Sequence, residues 1–468
     1  MNDVCLLSAV ELATAIRAKD VSPVEVTRAI LDRIERLDRH LNAFCTRMDE
    51  EALEAARAAE EAVQRGDELG PLHGVPVSIK DNLYVKGSRT TFGSKLLEDQ
   101  VTAEDCPLVE RLREAGAILI GRTNSPEFGW KGVTDNRVFG ITRNPWNLQL
   151  TPGGSSGGAS AAVASGLGPI GIGTDGGGSL RIPASFSGLV GHKPSFGRVP
   201  TWPGVSVGNL RHLGGITRTV EDSALLLNVI AGPDERDATS LPASDVDYVS
   251  ELAKGLDGVR IAVSADLGYA TLHPDVAAQF EAGANDFAET EATVERVEPG
   301  WSDPYESWKV FFYGAAASRL GRGLEDHGEL LDPGLRAAVE EAVQLTGLEC
   351  SDALIARDEF WQSVRTLFES FDLLVTPTLA VPPFPVGQDN AEPLTDQPQG
   401  ELQWTQFTYP FNLTGQPAVS VPCGWTDEGL PIGLQIIGRR FDDALVLRAA
   451  RAFEIARPWH DRWPALPE

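Results

Sequence analysis

The stretch that decides the fold runs from residue 151 to residue 185, TPGGSSGGASAAVASGLGPIGIGTDGGGSLRIPAS. It holds two serine clusters, Ser155-Ser156 and Ser179, each wrapped in glycines. Glycine adopts φ > 0 and lets the main chain approach a ligand closely. Asp175-Gly176-Gly177-Gly178-Ser179 reads as a loop whose N–H groups could converge on one spot, as an oxyanion hole needs. A flexible Gly/Ser linker is the competing reading. Linkers are polar and repetitive, whereas this stretch carries apolar runs at 161–164 and 170–172 and an embedded Asp175 and Arg181.

Outward from that stretch, the pattern alternates between helix and strand. Ala159 to Ser165 reads as a buried helix after the first serine cluster, and Ile170 to Gly173 as a strand feeding the second. Upstream, Val75, Val77 and Ile79 alternate with Ser78 and Lys80, the signature of a short strand. Residues 105–116 read as a helix and 117–121 as a strand. This rhythm predicts an α/β fold with a partly parallel sheet covered by helices. Helices are predicted over 8–18, 22–39 and 48–65, the second opened by Ser22-Pro23-Val24-Glu25 as N-cap, first-turn proline and N3 glutamate. Further on, 219–231 reads as a helix, 258–264 and 371–376 as strands, 417–438 as a hairpin and about 442–455 as a terminal helix. Residues 376–400 are Pro-rich and irregular, longer than a plain connection. Nothing divides the chain cleanly, so 1–468 is expected to be one domain with the helices of 8–65 packed on it.

The bulk numbers bound the function. At 468 residues, 42% hydrophobic and 23% charged, the composition is that of a globular protein with a large core. A net charge of −27 argues against direct contact with nucleic acid, whose phosphates need a basic face. The chain holds no 18-residue apolar run and its first residues carry no basic, then apolar, signal pattern. The five cysteines include no CxxC and the seven histidines no HExxH, so neither a zinc site nor a disulfide framework is indicated. The expectation is a cytoplasmic, metal-free protein without a cofactor.

Several motifs match by accident. Gly166 to Gly171 fits GxGxxG, but Pro169 and a strand stand where a dinucleotide fold needs a helix. Gly204 to Gly208 fits GxSxG, but Pro200 and Pro203 precede it and no helical pattern follows. No SxxK and no GxxxxGK[ST] occurs. What remains is Lys80 with Ser155 and Ser179. A serine hydroxyl is a poor nucleophile unless a base takes its proton. A lysine can do so when burial keeps it neutral. Lysine is scarce here, eight residues against 32 arginines, and Lys80 sits in an apolar run. From the strand alone, a packed stem with its head in solvent or paired with Asp81 is favoured over a neutral base.

Residues 153–184 resemble the amidase signature family: Gly-Gly-Ser-Ser-Gly-Gly, then Gly-x-Gly-x-Asp-x-Gly-x-Ser-Leu-Arg-x-Pro-Ala, with Lys80 at the family's spacing before Ser155. The similarity extends through Thr123 to Phe128, Phe139 to Trp146, Gly191 to Pro200 and Asn412 to Gly438. The resemblance implies one α/β/α domain with a large mixed sheet flanked by helices. It implies a Ser–cisSer–Lys triad in which Ser179 attacks, Ser155 bridges after a cis peptide bond, and Lys80 is the base. It places the oxyanion hole at the N–H groups of Gly176, Gly177, Gly178 and Ser179, and an acyl-enzyme on Ser179. Asp175 and Arg181 are expected to pair and brace the loop, and Ser156 to be structural.

Which amide is cleaved is a separate question. One reading is a stand-alone amidase, monomer or homodimer, acting on a small-molecule amide. The other is the glutaminase subunit of a tRNA-dependent amidotransferase. That subunit carries an aspartate shortly before an Asn-Leu-x-Gly motif; this chain has Trp404, Thr405 and Gln406 there, with Glu401 the nearest acid. The stand-alone reading is favoured. Its substrate pocket is expected at Phe128, Trp404 and Phe407 and around 301–313, although a core role for those aromatics is equally compatible with their composition.

Overall fold

The computed structural model describes residues 3–204, 209–394 and 403–467. Its N-terminal helices form where the capping chemistry expected them. Ser22 accepts hydrogen bonds from the Val24 and Glu25 N–H groups, the Glu25 carboxylate accepts one from the Ser22 N–H, and Pro23 opens the helix Pro23–Leu41. A cap of this kind is worth about 1 kcal/mol. The helix turns Val26, Ile30, Ile34 and Leu37 into the main core.

The strands are β1 (Phe44–Arg47), β2 (Pro76–Lys80), β3 (Ile118–Thr123), β4 (Asp135–Asn136), β5 (Gly140–Ile141), β6 (Ile170–Asp175), β7 (Val190–Lys193), β8 (His212–Thr217), β9 (Arg260–Val263), β10 (Thr293–Arg296), β11 (Leu373–Pro377), β12 (Ala418–Trp425) and β13 (Pro431–Gly438). Eleven build one sheet in the order β1-β3-β2-β6-β8-β7-β12-β13-β11-β9-β10, while β4 and β5 form a small separate ladder. The β3-β2-β6 group is parallel, the centre from β6 to β11 is antiparallel, and β11-β9-β10 is parallel again. The result is a single α/β domain with a large mixed sheet flanked by helices.

Both faces of β2 and β6 are covered, so every residue of each is buried. The helix Gly157–Ala164 is buried on all sides and accordingly has no polar face. At Gly158 a Cβ would meet the Asn124 N–H nitrogen at 2.5 Å and the Ala43 carbonyl oxygen at 2.6 Å, so only glycine lets the helix sit this close to that backbone.

The sequence pattern missed β8. His212-Leu213-Gly214-Gly215-Ile216-Thr217 does not alternate, because a Cβ at Gly215 would collide with Leu226 and one at Gly214 with the His192 carbonyl. Tight layer packing rather than strand propensity chose those glycines. The helices Tyr305–Leu320, Pro333–Ala342 and Gly347–Ser370 were also unread. Glu401, residues 205–208 of the GxSxG match and the end of the Pro-rich stretch lie outside the described residues. Among the described residues, no helix is long and apolar enough to cross a membrane.

Candidate active site

Lys80 is the last residue of β2, and Thr174 and Asp175 are the last two of the neighbouring parallel strand β6. Parallel pairing therefore brings these side chains together at the C-terminal edge of the sheet, where open α/β sheets form their crevices. The chain then turns through Gly176-Gly177-Gly178-Ser179 into the short helix Arg181–Ser187. The segment before the helix Gly157–Ala164 supplies Ser155 and Ser156, and the Gly154–Ser155 peptide bond is cis.

The Lys80 side chain is fully buried. Its Nζ donates to Ser155 Oγ at 2.7 Å, Ser156 Oγ at 3.0 Å and Thr174 Oγ1 at 3.2 Å. Burial holds its ammonium well below the usual lysine range; Arg211 pushes the same way and Asp175 the opposite way. The alternative of a solvent-reaching head or an Asp81 partner is not what forms. Asp81 instead accepts hydrogen bonds from Thr91 and lies 3.9 Å from the buried Arg122. Arg122 itself donates to the Lys80 carbonyl oxygen at 3.1 Å, fixing the strand end from behind. Lys193, the other lysine with no exposure, faces the backbone carbonyls of Gln416 and Pro194 rather than hydroxyl groups. Burial alone therefore does not distinguish Lys80; its three hydroxyl partners do.

Ser155 and Ser179 both line a cavity of about 500 Å³. Ser156 points its hydroxyl at the Thr174 carbonyl and lies outside that lining, in keeping with a structural part. Thr174 was not singled out in the sequence; it ties Lys80 to Asn82, whose Nδ2 donates to the same hydroxyl at 3.0 Å.

Asp175 and Arg181 form a buried bidentate pair, Nε to Oδ2 at 3.0 Å and Nη2 to Oδ1 at 2.9 Å. Burial pushes the Asp175 carboxyl up, but the Arg181 guanidinium, aided by Lys193 and Asn412, outweighs it and holds the group well below the usual carboxylate range. Asn412, Gln435 and the Thr408 carbonyl complete the ring of partners around Arg181. One expectation needs correction. The Gly178 N–H donates to Asp175 Oδ1 at 2.7 Å, so it braces the loop and is not turned toward an oxyanion. The carbonyls of Gly176 and Gly177 are held by Trp308 Nε1 and Thr408 Oγ1, at 3.0 Å and 2.6 Å.

The pocket expectation is met only in part. Phe128 lines the cavity, but Trp404 and Phe407 do not. Trp404 stacks on Phe186 at 5.7 Å and packs edge-on to Phe384 at 5.1 Å, and Phe407 is fully buried in the same cluster. Aromatic composition does not separate a cavity wall from a core, and here the core claimed both. The 301–313 region does contribute, through Phe311, Phe312 and Tyr313 on the helix Tyr305–Leu320. Arg211 and Arg319 also line the cavity, and sequence reasoning missed both.

The sequence model of the family described as Amidase matches residues 25–447. An acylamidase from Rhodococcus erythropolis is 40% identical, over 98% of this chain and 97% of its own. A glutamyl-tRNA(Gln) amidotransferase subunit from Moorella thermoacetica is 39% identical, over 98% of both chains. The crystal structure of a bacterial aryl acylamidase of the amidase signature family superposes with a TM-score of 0.92 at 34% identity, covering 97% of this chain and 96% of that one. The chain belongs to the amidase signature family of hydrolases.

Proposed function

We propose that this protein is a stand-alone amidase that hydrolyses a small-molecule carboxylic amide, linear at the scissile bond, through Ser179, Ser155 and Lys80. The observation that carries the reading is the buried Lys80 Nζ at 2.7 Å from Ser155 Oγ, beside a cavity that Ser155 and Ser179 share. Ser179 Oγ attacks the amide carbonyl carbon, and its proton passes through the Ser155 hydroxyl to the neutral Lys80 amine. The oxyanion is held by backbone N–H groups of Gly176, Gly177 and Ser179, each donor typically worth ~3–4 kcal/mol of barrier. The proton returns through Ser155 to the departing nitrogen, leaving an acyl-enzyme on Ser179. Water then repeats the sequence, releasing the carboxylic acid.

The whole span 1–468 acts as one catalytic unit, monomeric or homodimeric, in the cytoplasm. A second reading, the glutaminase subunit of an amidotransferase, draws on the 39% identity noted above. Against it stand Trp404, Thr405 and Gln406 where the resemblance requires an acid, and Gln406 Nε2 is committed to Asp303. The test is a panel of glutamine, an aliphatic amide and an anilide on wild type and Ser179→Ala. Wild type alone is expected to hydrolyse the anilide or the aliphatic amide. Ser179→Ala is expected to lose on the order of 10⁴-fold or more in kcat with an unchanged melting temperature. Near-normal turnover by Ser179→Ala would overturn the mechanism. Glutamine hydrolysis that appears only with partner subunits would favour the second reading.

A further inference from the structure

The cavity beside Ser179 has a charge opposite to that of the chain. Its described lining contains Arg211 and Arg319 and neither an aspartate nor a glutamate, in a protein of net charge −27. Arg319 is seated on an aromatic platform, its Cζ 4.7 Å from the Phe92 ring centre and 5.1 Å from that of Phe128. The platform is built at a cost. Phe92 (φ 55°) and Phe128 (φ 51°) both adopt the left-handed conformation, which is disfavoured for bulky side chains. The Phe128 N–H donates to the Phe92 carbonyl at 2.7 Å, and the two rings lie 5.8 Å apart. Backbone strain of this kind persists where the surroundings enforce it, and it clusters at ligand sites.

Stacking uses the face of a guanidinium and leaves its edge N–H groups for an acceptor. Arg319 is exposed at the cavity wall, and Arg211 lies deeper, with Nη2 3.4 Å from the Asn82 carbonyl. Burial lowers the Arg211 guanidinium to about 10, Cys106 raises it, and Arg319 adds to the lowering, so the two cations act on each other across the cavity.

We propose that the cavity selects amides carrying a carboxylate remote from the scissile bond, received by Arg319 on its Phe92–Phe128 platform. Arg211 adds charge of the same sign, and Phe311 and Phe312 cover the apolar part of such a substrate. This deepens the reading of Ser179 as the nucleophile and rests on it.

Binding separates the two ideas because it needs no turnover. The probes are the mono-anilides of succinic, glutaric and adipic acid, with the carboxylate on the acyl side, and N-acetylphenylalanine, with it on the amine side. Each is compared with its neutral dimethylamide by calorimetry on Ser179→Ala. At least one acid is expected to bind tenfold or more tightly than its neutral partner, about 1.4 kcal/mol. Arg319→Gln in the same background is expected to bring that ratio within threefold, and Arg319→Lys to restore part of it. Raising salt to 0.5 M is expected to shrink it through screening. In wild type the same acids are expected to show the advantage mainly in KM. Acids that bind no better than their neutral partners, or a ratio that survives Arg319→Gln, would overturn the proposal even if neutral anilides are hydrolysed. Acids that bind through Arg319 but are not turned over would leave the anion site standing and count against the Ser179 mechanism.

Discussion

Replacing Lys80 with methionine should abolish activity and, at neutral pH, stabilise the fold. The substitution keeps an unbranched, buried side chain and removes the amine that contacts Ser155, Ser156 and Thr174. Three neutral hydrogen bonds are lost, about 1 kcal/mol each. Against that stands the burial of an amine that is fully inaccessible and held well below its ordinary value of 10.5. The unfolded chain takes up a proton at Lys80 below 10.5 and the folded protein does not. Wild-type stability therefore falls as pH drops from 10.5 toward the lowered value, by about 1.4 kcal/mol per pH unit. The loss grows with every pH unit over which the folded Lys80 stays neutral, and more than about two such units outweigh the lost hydrogen bonds. The wild-type-minus-Lys80→Met difference should thus become more negative as pH falls from 9.5 to 7. Lys193, also buried, is common to both proteins and cancels. Melting temperatures of the two proteins across that range, with amide turnover measured in parallel, provide the assay. A difference that stays flat with pH would mean that the folded Lys80 is protonated, and the proton relay would lose its base.

Gly177→Ala should cut kcat roughly 10–100-fold, on the scale of a disturbed oxyanion loop. Its Cβ would lie 2.6 Å from Trp308 Cζ2 and displace the indole that holds the Gly176 carbonyl. Gly314→Ala, with nothing within 4 Å of its Cβ, should leave kcat unchanged and serves as the control; equal effects would refute the steric account. Asp222 is buried, accepts the Val10 N–H and leaves Oδ2 without a partner. Burial raises its carboxyl to about 7, so the folded state favours the protonated form and wild-type stability falls as pH rises from 4 to 7. Asp222→Asn should raise the melting temperature at pH 8 by more than at pH 5, as differential scanning fluorimetry would record.

The part of this protein most legible in sequence was the part most constrained by backbone chemistry. Ser22, Pro23 and Glu25 announced a helix start because each has one physical job there, and all three do it. Val75, Val77 and Ile79 announced β2 through alternation, although both faces proved buried. The residues 151–185 were readable because glycine at close approach has few substitutes. What failed to show was whatever depended on a distant partner. Gly214 and Gly215 break the alternation of a strand, and the reason shows only when Leu226 and the His192 carbonyl are placed beside them. Trp404 looks like a pocket residue until Phe186 stacks on it. Arg319 carries no local signal, because its meaning lies in two phenylalanines more than 190 positions upstream. Gly178 sat correctly in its motif, yet its N–H turned inward because Asp175 was three residues away.

The brace around Arg181 bears on how the protein is made. Lys80, Ser155 and Ser179 all emerge from the ribosome before residue 180, and Asp175 and Arg181 leave with them. The partners that complete the Arg181 shell, Thr408, Asn412 and Gln435, follow more than 220 residues later in the chain. Until they arrive, the loop bearing Ser179 lacks the contacts that set its shape. A chain made only as far as Arg181 therefore holds every member of the proposed triad and cannot yet assemble the site, which keeps a nascent hydrolase inert until residues 408–435 have been made.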